Sequence, residues 1–319
     1  MNAAGSLVFG GALTPTGTIV GNMSFTVTNG TTSSTFGSVT FGSLVLGINA
    51  TSPLSPAIGG TGNIIITGVV SNGAAFANGL THGGTGTLTL SGAAANTYTG
   101  LTTASAGELD LGKSGSVNAI GGGGLTVGSA TNTAALVKYT GASTDMMGTG
   151  TVTLNGQGQL DFNGVSDTIG NVSIVATGAG AGTTPIQNTA GGGTLTIGTL
   201  GITPLAGFTS VLNPGTGTLQ LGGAVTFTSA TTGQAQVTGN VDLNGGQTFN
   251  IGLGGGTGYD LELNGLVANG TLTTSTGTGR LQLSGSTANT YSGLTTVNVG
   301  TPAVEQEWCG QCHRRQPDH

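Results

Sequence analysis

Charged residues, and basic residues above all, are scarce in this sequence, and the scarcity excludes a class of function. The 319 residues include 5 Lys or Arg and 11 Asp or Glu, for a formal net charge of -6. Proteins that bind nucleic acids neutralise phosphates with clustered Lys and Arg. Lys113, Lys138 and Arg280 are the only cations before residue 314. The sequence therefore argues against a nucleic-acid partner.

Long apolar runs and cysteines are also lacking. No stretch of about 18 apolar residues exists, so no segment is expected to cross a membrane as a helix. The opening residues, MNAAGSLVFGGALTP, have neither the basic region nor the apolar core of a signal peptide. If the protein is exported, we expect its export signal to lie outside this chain. Both cysteines, Cys309 and Cys312, fall near the end.

Glycine and threonine are abundant instead. The chain has 65 Gly and 57 Thr, a composition typical of flexible linkers. It is nevertheless 36% hydrophobic, and disordered chains are poor in such residues and rich in charge. Abundant Thr, Val, Ile and Leu at low charge instead indicate a chain built of β-strands.

Short units in which apolar residues alternate with small or polar ones recur along the chain, as in LTL (88–90), LDL (109–111) and LQL (219–221). This period of two places the apolar side chains on one face of a strand. We find no helical periodicity, so the fold class is predicted to be all-β. The predicted buried residues are Leu88, Leu90, Leu109, Leu111, Val152, Leu154, Leu219, Leu221, Leu281 and Leu283. The predicted exposed residues are Thr89, Asp110, Thr153, Gln220 and Gln282.

A longer repeat underlies the short one. Phrases that begin GTG and continue into an alternating strand start at residues 84, 148, 215 and 277. Such spacing predicts a solenoid. Since LTL at 88 is followed by LDL at 109, we interpret each period as three coils of about 21 residues, which gives about 14 rungs over residues 1–300.

One phrase returns almost unchanged. Residues 86–107 and 279–300, which contain LSG…ANTY…GLTT, share 14 of 22 positions, where composition alone would give about two or three. Leu88 and Leu90 are expected to face the core, Gly92 to turn the chain, and Asn96 to occupy a tight turn. Stacking of coils accounts for the repetition without any chemistry.

These residues resemble a family. The phrase GTLTLSG…NTYTG…TT…AGELDLG and its second copy, ending NTYSGLTTVNVG, resemble the autotransporter-associated β-strand repeat (PATR) of bacterial surface-protein passenger regions. The stretch QLDFNGVSDTIGNVSI (159–174) is similar to a companion phrase of the same large proteins. The resemblance implies a right-handed parallel β-helix, built from Gly/Thr-rich repeats and displayed on or released from a bacterial surface. It implies no catalytic residues.

We therefore expect a β-helix repeat region over residues 1–300, with PATR-like units near 84–112 and 277–300. The expected function is non-enzymatic: a structural or adhesin-like segment of a surface-displayed or secreted autotransporter-type protein, located at the cell surface or outside the cell. Expected partners are surface glycans, host or neighbouring cell surfaces, and further repeats of a longer parent chain. The alternatives are a β-helix protein that binds or cleaves polysaccharide, and a fragment fused to a truncated c-type cytochrome module.

Acidic residues are the first candidates for chemistry. The segment GGTGYDLEL (255–263) comes close to a calcium-binding nonapeptide, but Glu262 occupies the apolar position and the motif occurs once. Glycoside cleavage needs paired carboxylates, and the pairs Glu108/Asp110 and Asp260/Glu262 are spaced two apart. We interpret both pairs as solvated strand faces, and we predict neither a catalytic residue nor a metal site.

Two uncharged features, a histidine and a set of threonine units, also have both a functional and a structural interpretation. His82 lies among glycines and is interpreted as a surface residue. Thr-x-Thr units recur, for example at 87–89 and 194–196, and a flat threonine array could bind ice or polysaccharide. Threonine is also a strand former that keeps an uncharged sheet soluble.

The tail, residues 301–319, differs in composition and interrupts the repeat, so we interpret it as unrelated and disordered. Within it, Cys309, Cys312 and His313 form the C-x-x-C-H motif of c-type haem attachment. Two thioethers would hold the porphyrin, and His313 would be the proximal iron ligand. Because the sequence ends six residues later, we favour an accidental or frame-shifted end over a truncated cytochrome-like module, and a truncated module over a functional haem site. No cofactor is expected.

Overall fold

The structure, a computed structural model, describes residues 5–13, 24–27, 36–47, 52–73, 75–129, 133–176, 184–228, 232–255, 258–299 and 301–304. Every regular element in these ranges is a β-strand. Within the same ranges there is no helix with the length and apolar character that crossing a membrane requires.

The described ranges contain 29 strands. The first 14 are β1 (Gly5–Leu13), β2 (Ser24–Val27), β3 (Phe36–Leu46), β4 (Ala57–Gly60), β5 (Asn63–Ile66), β6 (Val70–Asn72), β7 (Leu80–His82), β8 (Thr87–Gly92), β9 (Thr102–Ala104), β10 (Gly107–Lys113), β11 (Leu125–Val127), β12 (Ala135–Tyr139), β13 (Val152–Asn155) and β14 (Gly158–Asp161). The others are β15 (Asp167–Thr168), β16 (Val172–Val175), β17 (Ile186–Gln187), β18 (Thr194–Ile197), β19 (Leu200–Thr203), β20 (Thr209–Asn213), β21 (Thr218–Leu221), β22 (Val225–Phe227), β23 (Gln234–Val237), β24 (Asn240–Ile251), β25 (Leu261–Asn264), β26 (Val267–Thr274), β27 (Arg280–Ser284), β28 (Thr295–Val297) and β29 (Thr301–Val304).

The strands belong to two compact units. The first unit consists of Met1–Ser129, Thr133–Val152 and Gly158–Asp161, and the second of Ala130–Asn132, Thr153–Gln157 and Phe162–His319. Both are all-strand parallel β-solenoids. The predicted fold class, an all-β chain wound as a parallel β-helix, is confirmed.

The core of the first unit is a stack of apolar side chains, one from each successive coil. Strands β3, β5, β8, β10, β12 and β14 pair in parallel in that order. Their registered inward residues are Val39, Ile64, Leu88, Leu109, Val137 and Leu160, all buried. Because each apolar residue meets another at the same place in the next coil, the period-two pattern becomes a continuous core.

The second unit has three faces, and the long strand β24 contributes to two of them. One face stacks β18, β21, β24 and β26 through Leu195, Leu219, Val241 and Val267. Another stacks β19, β22 and β24 through Leu200, Val225 and Phe249. The third stacks β20, β23, β25 and β27 through Leu212, Val237, Leu263 and Leu283. All these side chains are buried, so the core lies between the three faces.

The predicted register is confirmed for the core. All ten residues assigned to it, from Leu88 to Leu283, are at most 3% exposed. Their outward neighbours, Thr89, Asp110, Thr153, Gln220 and Gln282, are half-buried rather than exposed. Each lies on the outer side of a strand, where side chains of the adjacent coils cover part of it.

The predicted coil length is wrong for most of the chain. The short step holds where Leu88 pairs with Leu109. The steps from Leu109 to its partner Val137 and from Val241 to its partner Val267 are both longer. These turns are therefore longer than predicted.

The GTG phrases do not mark a whole number of coils in the second unit. The phrase beginning at 215 enters β21, and the phrase beginning at 277 enters β27. These two strands belong to different faces of the solenoid. The interpretation of one phrase period as three coils is therefore wrong there.

Pairing continues past the predicted limit of the repeat region. Strand β29 pairs with β27, and Pro302 lies opposite Leu281, so the paired strands extend beyond Gly300. Residues 305–319, including Cys309, Cys312 and His313, lie outside the described part of the chain. That residues 301–319 are an unrelated tail, and that it carries a haem motif, stay predictions.

Candidate functional site

The repeated phrase folds into an arc between two faces, at residues 96–102 in the first unit and 289–295 in the second. In the first arc Asn96 is buried. Its Oδ1 accepts a hydrogen bond from Val70 N at 2.8 Å, and its Nδ2 donates to Ala119 O at 2.6 Å. Since Val70, Asn96 and Ala119 belong to three successive coils, one side chain joins all three.

A tyrosine closes the same arc. Tyr98 is fully buried, and its hydroxyl lies 2.6 Å from Thr102 Oγ1. Burial raises the pKa of Tyr98 to about 12, because a phenolate would lose its hydration inside the solenoid. The phenol therefore stays neutral at physiological pH and serves as a hydrogen-bonded core residue.

The second arc repeats these contacts. Asn289 Oδ1 accepts from Val267 N at 2.9 Å, and the Tyr291 hydroxyl lies 2.9 Å from Thr295 Oγ1. Gly293 N donates to Gly270 O at 3.0 Å, as Gly100 N donates to Asn78 O at 2.9 Å in the first arc. The Asn, Tyr, Gly and Thr residues that the two copies share thus make the same contacts in both arcs, as stacking of coils requires.

One identical residue has no role in the core. Leu101 in the first arc is 45% exposed, and Leu294 in the second is 56% exposed. Each follows the glycine that lets the arc approach the preceding coil. Exposed single leucines are common on protein surfaces, but here the two copies place one at the same point of the arc.

The acidic pair of the calcium-like segment is buried, which corrects the expectation that it faces water. Asp260 is fully buried and Glu262 is 6% exposed. Asp260 accepts hydrogen bonds from Gly254 N at 2.7 Å and from Arg280 N at 2.6 Å. Its carboxylate thus holds the turn that precedes β25 and joins it to the next coil.

Glu262 has an equivalent role on the outer side of β25. Its Oε1 accepts from Ser284 Oγ at 2.5 Å, and its Oε2 accepts from Gln236 Nε2. Gln236 and Ser284 belong to the coils on either side. The carboxylates of this segment therefore bind protein groups in neighbouring coils. Among the described residues, no three His, Cys, Asp or Glu side chains lie close enough to hold a metal ion.

The second acidic pair lies on the outer side of the first unit. Glu108 and Asp110 are half-buried on β10. Asp110 lies in register with Thr89 on one side and Lys138 on the other. Burial, followed by the nearby charge of Glu108, raises the pKa of Asp110 to about 6, although the Lys138 ammonium opposes this. A raised pKa beside a second carboxylate is what a general acid requires. The pair Glu108/Asp110 is therefore the acidic pair that acid–base chemistry could use.

His82 is 1% exposed, so its interpretation as a surface residue is wrong. Its Nδ1 lies 3.0 Å from Ile58 O and its Nε2 lies 3.1 Å from Gly86 O. Burial lowers the pKa of His82, and the two carbonyl contacts oppose that shift. The glycines that suggested exposure instead allow the neighbouring chain to cover the ring.

The Thr-x-Thr units do not form one array. Thr87 and Thr89 are in register with Glu108 and Asp110 in the next coil. In the second unit Thr196 donates to Gln220 Oε1 at 2.8 Å, and Gln220 donates to Asp242 Oδ2 at 3.2 Å. Threonine thus alternates with acidic and amide residues at these positions. Elsewhere threonines lie in register in three successive coils, at Thr81, Thr103 and Thr126 and at Thr248, Thr273 and Thr296.

Sequence reasoning missed the buried lysine. Lys113 continues the inward series Leu109, Leu111 on β10 and is fully buried. Its ammonium donates to Gly68 O at 2.9 Å, far earlier in the chain. Burial lowers the pKa of Lys113 to about 8. The sequence contained a signal for this burial. The alternation of inward and outward residues along β10 assigns residue 113 to the core.

Replacing this lysine should stabilise the first unit. The folded pKa of about 8 lies below the unfolded value of 10.5, so the unfolded chain binds more protons between these values, and stability rises with pH across that window. We expect Lys113→Met to abolish this rise and to add about 1–2 kcal/mol at pH 7. Urea unfolding at a series of pH values measures both effects. Lys138→Met is the control, and an equal gain there would contradict the assignment.

A family model matches both segments of the chain that contain a repeated arc. The family model of the passenger-associated-transport-repeat matches residues 80–111 and 274–301. Each match includes one arc, residues 96–102 or 289–295, and the strand before it. No curated protein and no solved structure matches the chain. The two matched segments are similar to passenger-associated-transport repeats, and they make up about a fifth of the chain.

Proposed function

We propose that this chain is a non-enzymatic structural segment, a stalk or adhesin-like spacer, of a protein displayed on or secreted from a bacterial surface. The observation that carries the proposal is the use of buried polar groups. Asn96 joins three coils, and Asp260 and Glu262 each bind groups in adjacent coils. These side chains hold the solenoid together, and a solenoid extends by adding coils.

The second part of the proposed role is binding of other molecules by the outer faces of the solenoid. Half-buried Thr, Gln and Asp side chains, such as Thr196, Gln220 and Asp242, run across successive coils. Such rows of hydroxyl, amide and carboxylate groups suit surface glycans or the surfaces of host and neighbouring cells. An adhesin-like role would use these rows and the exposed leucines of the two arcs.

Surface display tests the proposal. The full chain, carrying an amino-terminal epitope tag, would be fused to an export signal and to an unrelated outer-membrane anchor. We expect antibody to reach the tag on intact cells and the chain to resist added protease. The double variant Asn96→Ala/Asn289→Ala should lose that resistance, because both arcs lose their joint to the preceding coil. Leu101→Ser/Leu294→Ser is the matched control and should keep it.

Binding assays on the same cells separate the alternatives. A stalk gives no adhesion to glycan arrays or cultured cells, and an adhesin gives adhesion that the leucine variant reduces. Release of reducing ends from a polysaccharide, lost in Asp110→Asn, would contradict a non-enzymatic function and favour the β-helix enzyme. The raised pKa of Asp110, beside Glu108, is the observation that keeps this second candidate.

A further inference from the structure

Asparagine followed by glycine occupies the strained turns of this chain. Three described residues other than glycine have positive φ: Asn163 (44°), Asn244 (46°) and Asn269 (57°). Each precedes a glycine. Asparagine tolerates this conformation better than most residues, but the Asn–Gly dipeptide is also the one most open to attack of the following main-chain nitrogen on the side-chain amide.

The described residues contain seven Asn–Gly steps, at Asn72, Asn78, Asn155, Asn163, Asn244, Asn264 and Asn269. Hydrogen bonds hold the side chain in four of them. These are the bonds of Asn72 to Thr99, Asn78 to Leu54 and Leu46, Asn163 to Thr189, and Asn269 to Asp242.

Asn155 and Asn264 are half-buried. Among the seven described steps, Asn244 alone combines an exposed side chain with no side-chain hydrogen bond. Its amide group is therefore free to rotate toward the main chain, whereas the others are bonded or partly covered. Reactivity should consequently differ among identical dipeptides of one molecule.

The main chain around Asn244 is irregular. Pairing of β24 with β26 shifts register between Asp242 and Gly245, so residues 243 and 244 form a bulge without partners in β26. Asn244 N donates to Asp242 Oδ1 at 2.7 Å. Gly245 has a φ of 103°, and no heavy atom lies within 4 Å of the position that a Cβ would take. The space beside Gly245 Cα is thus open.

We propose that Asn244–Gly245 is a site of spontaneous deamidation. The Gly245 nitrogen, having given its proton to solvent, attacks Cγ of Asn244, and ammonia leaves as the C–N bond of the side-chain amide breaks. The product is a five-membered succinimide. One water then adds to either ring carbonyl and opens it, to aspartate or to isoaspartate. The net change is one water consumed and one ammonia released.

The product changes the second unit through charge and chain length. Asp242 Oδ2 already accepts from Gln220 and Asn269, and a carboxylate at residue 244 would repel the Asp242 carboxylate two residues away. Isoaspartate would in addition lengthen the main chain within the bulge. Deamidation therefore loosens the row of hydrogen bonds across Thr196, Gln220, Asp242 and Asn269.

Ageing of the purified full chain tests the site. The protein is incubated in mildly alkaline buffer, and peptide mapping by mass spectrometry follows conversion of each Asn–Gly step, with the urea-unfolded chain as reference. We expect Asn244 to convert roughly tenfold or more faster than Asn78 in the folded chain, because folding protects bonded and buried amides. In the unfolded chain the difference should disappear.

Two variants complete the test. Asn244→Gly keeps the positive φ and cannot deamidate, so an aged sample should show no conversion at this position and keep its unfolding midpoint. Asn244→Asp should reproduce the loss of stability of the aged wild type in part. Conversion of Asn78 or Asn269 before Asn244, or no conversion at Asn244 while the unfolded chain reacts, would overturn the proposal.

Discussion

Asn96→Ala should lower the free energy of unfolding of the first unit by about 3 kcal/mol, because it leaves two buried main-chain groups without partners. Val70 N loses its acceptor and Ala119 O loses its donor, at positions two coils apart. Water cannot replace the side chain easily, since Asn96 is 5% exposed. Urea unfolding followed by circular dichroism measures the loss, and hydrogen exchange at Val70 should show it locally.

Two further substitutions in the same phrase define the cause. Asn96→Asp keeps the acceptor for Val70 N but not the donor to Ala119 O, so its cost should be intermediate. Leu101→Ala removes a side chain that is 45% exposed, and its effect should stay within about 0.5 kcal/mol. If Asn96→Ala is no more costly than Leu101→Ala, then the arc does not join the coils as described.

The sequence was sufficient to predict the core of this fold. Alternation at Leu88, Leu109 and Leu219 depends only on the period of a strand, and no other period fits it. The repeated phrase predicted stacked coils for the same reason. These inferences succeed because each inward residue meets its equivalent in the next coil, so local pattern and tertiary contact coincide.

Coil length could not be predicted in the same way. The turns between faces vary, so the step from Leu88 to its partner Leu109 is shorter than the next step, from Leu109 to Val137. A parallel ladder requires the strands to be in register but does not restrict the loops between them. The recurring GTG phrases therefore mark strands of similar composition and not whole coils.

The burial of polar residues is the second feature that could not be predicted from the sequence. Glu262, Asp260 and His82 look solvent-facing in a sequence because their neighbours are glycine or polar residues. Their burial depends on hydrogen bonds to groups that belong mostly to neighbouring coils, such as Arg280 N for Asp260 and Gln236 for Glu262. Only the stacking of coils brings these partners together.

Glycine reveals how closely the coils stack, and two adjacent glycines of the first unit should respond in opposite ways to the same substitution. A Cβ on Gly123 would lie 2.2 Å from the carbonyl carbon and oxygen of Gly100, in the first arc. A Cβ on Gly122 would meet no heavy atom within 4 Å. Neither residue has a φ in the left-handed region, so backbone strain does not distinguish them.

Gly123→Ala should therefore lower the free energy of unfolding by about 2–3 kcal/mol, because main-chain atoms of Gly100 cannot move aside without disturbing the arc. Gly122→Ala should leave it unchanged or raise it by about 0.5 kcal/mol, since alanine restricts the unfolded chain. Thermal and urea unfolding of both variants measure the difference. Equal effects would show that the coils are spaced widely enough for a methyl group, and the close approach of 123 to the repeated arc would then not be a requirement of the fold.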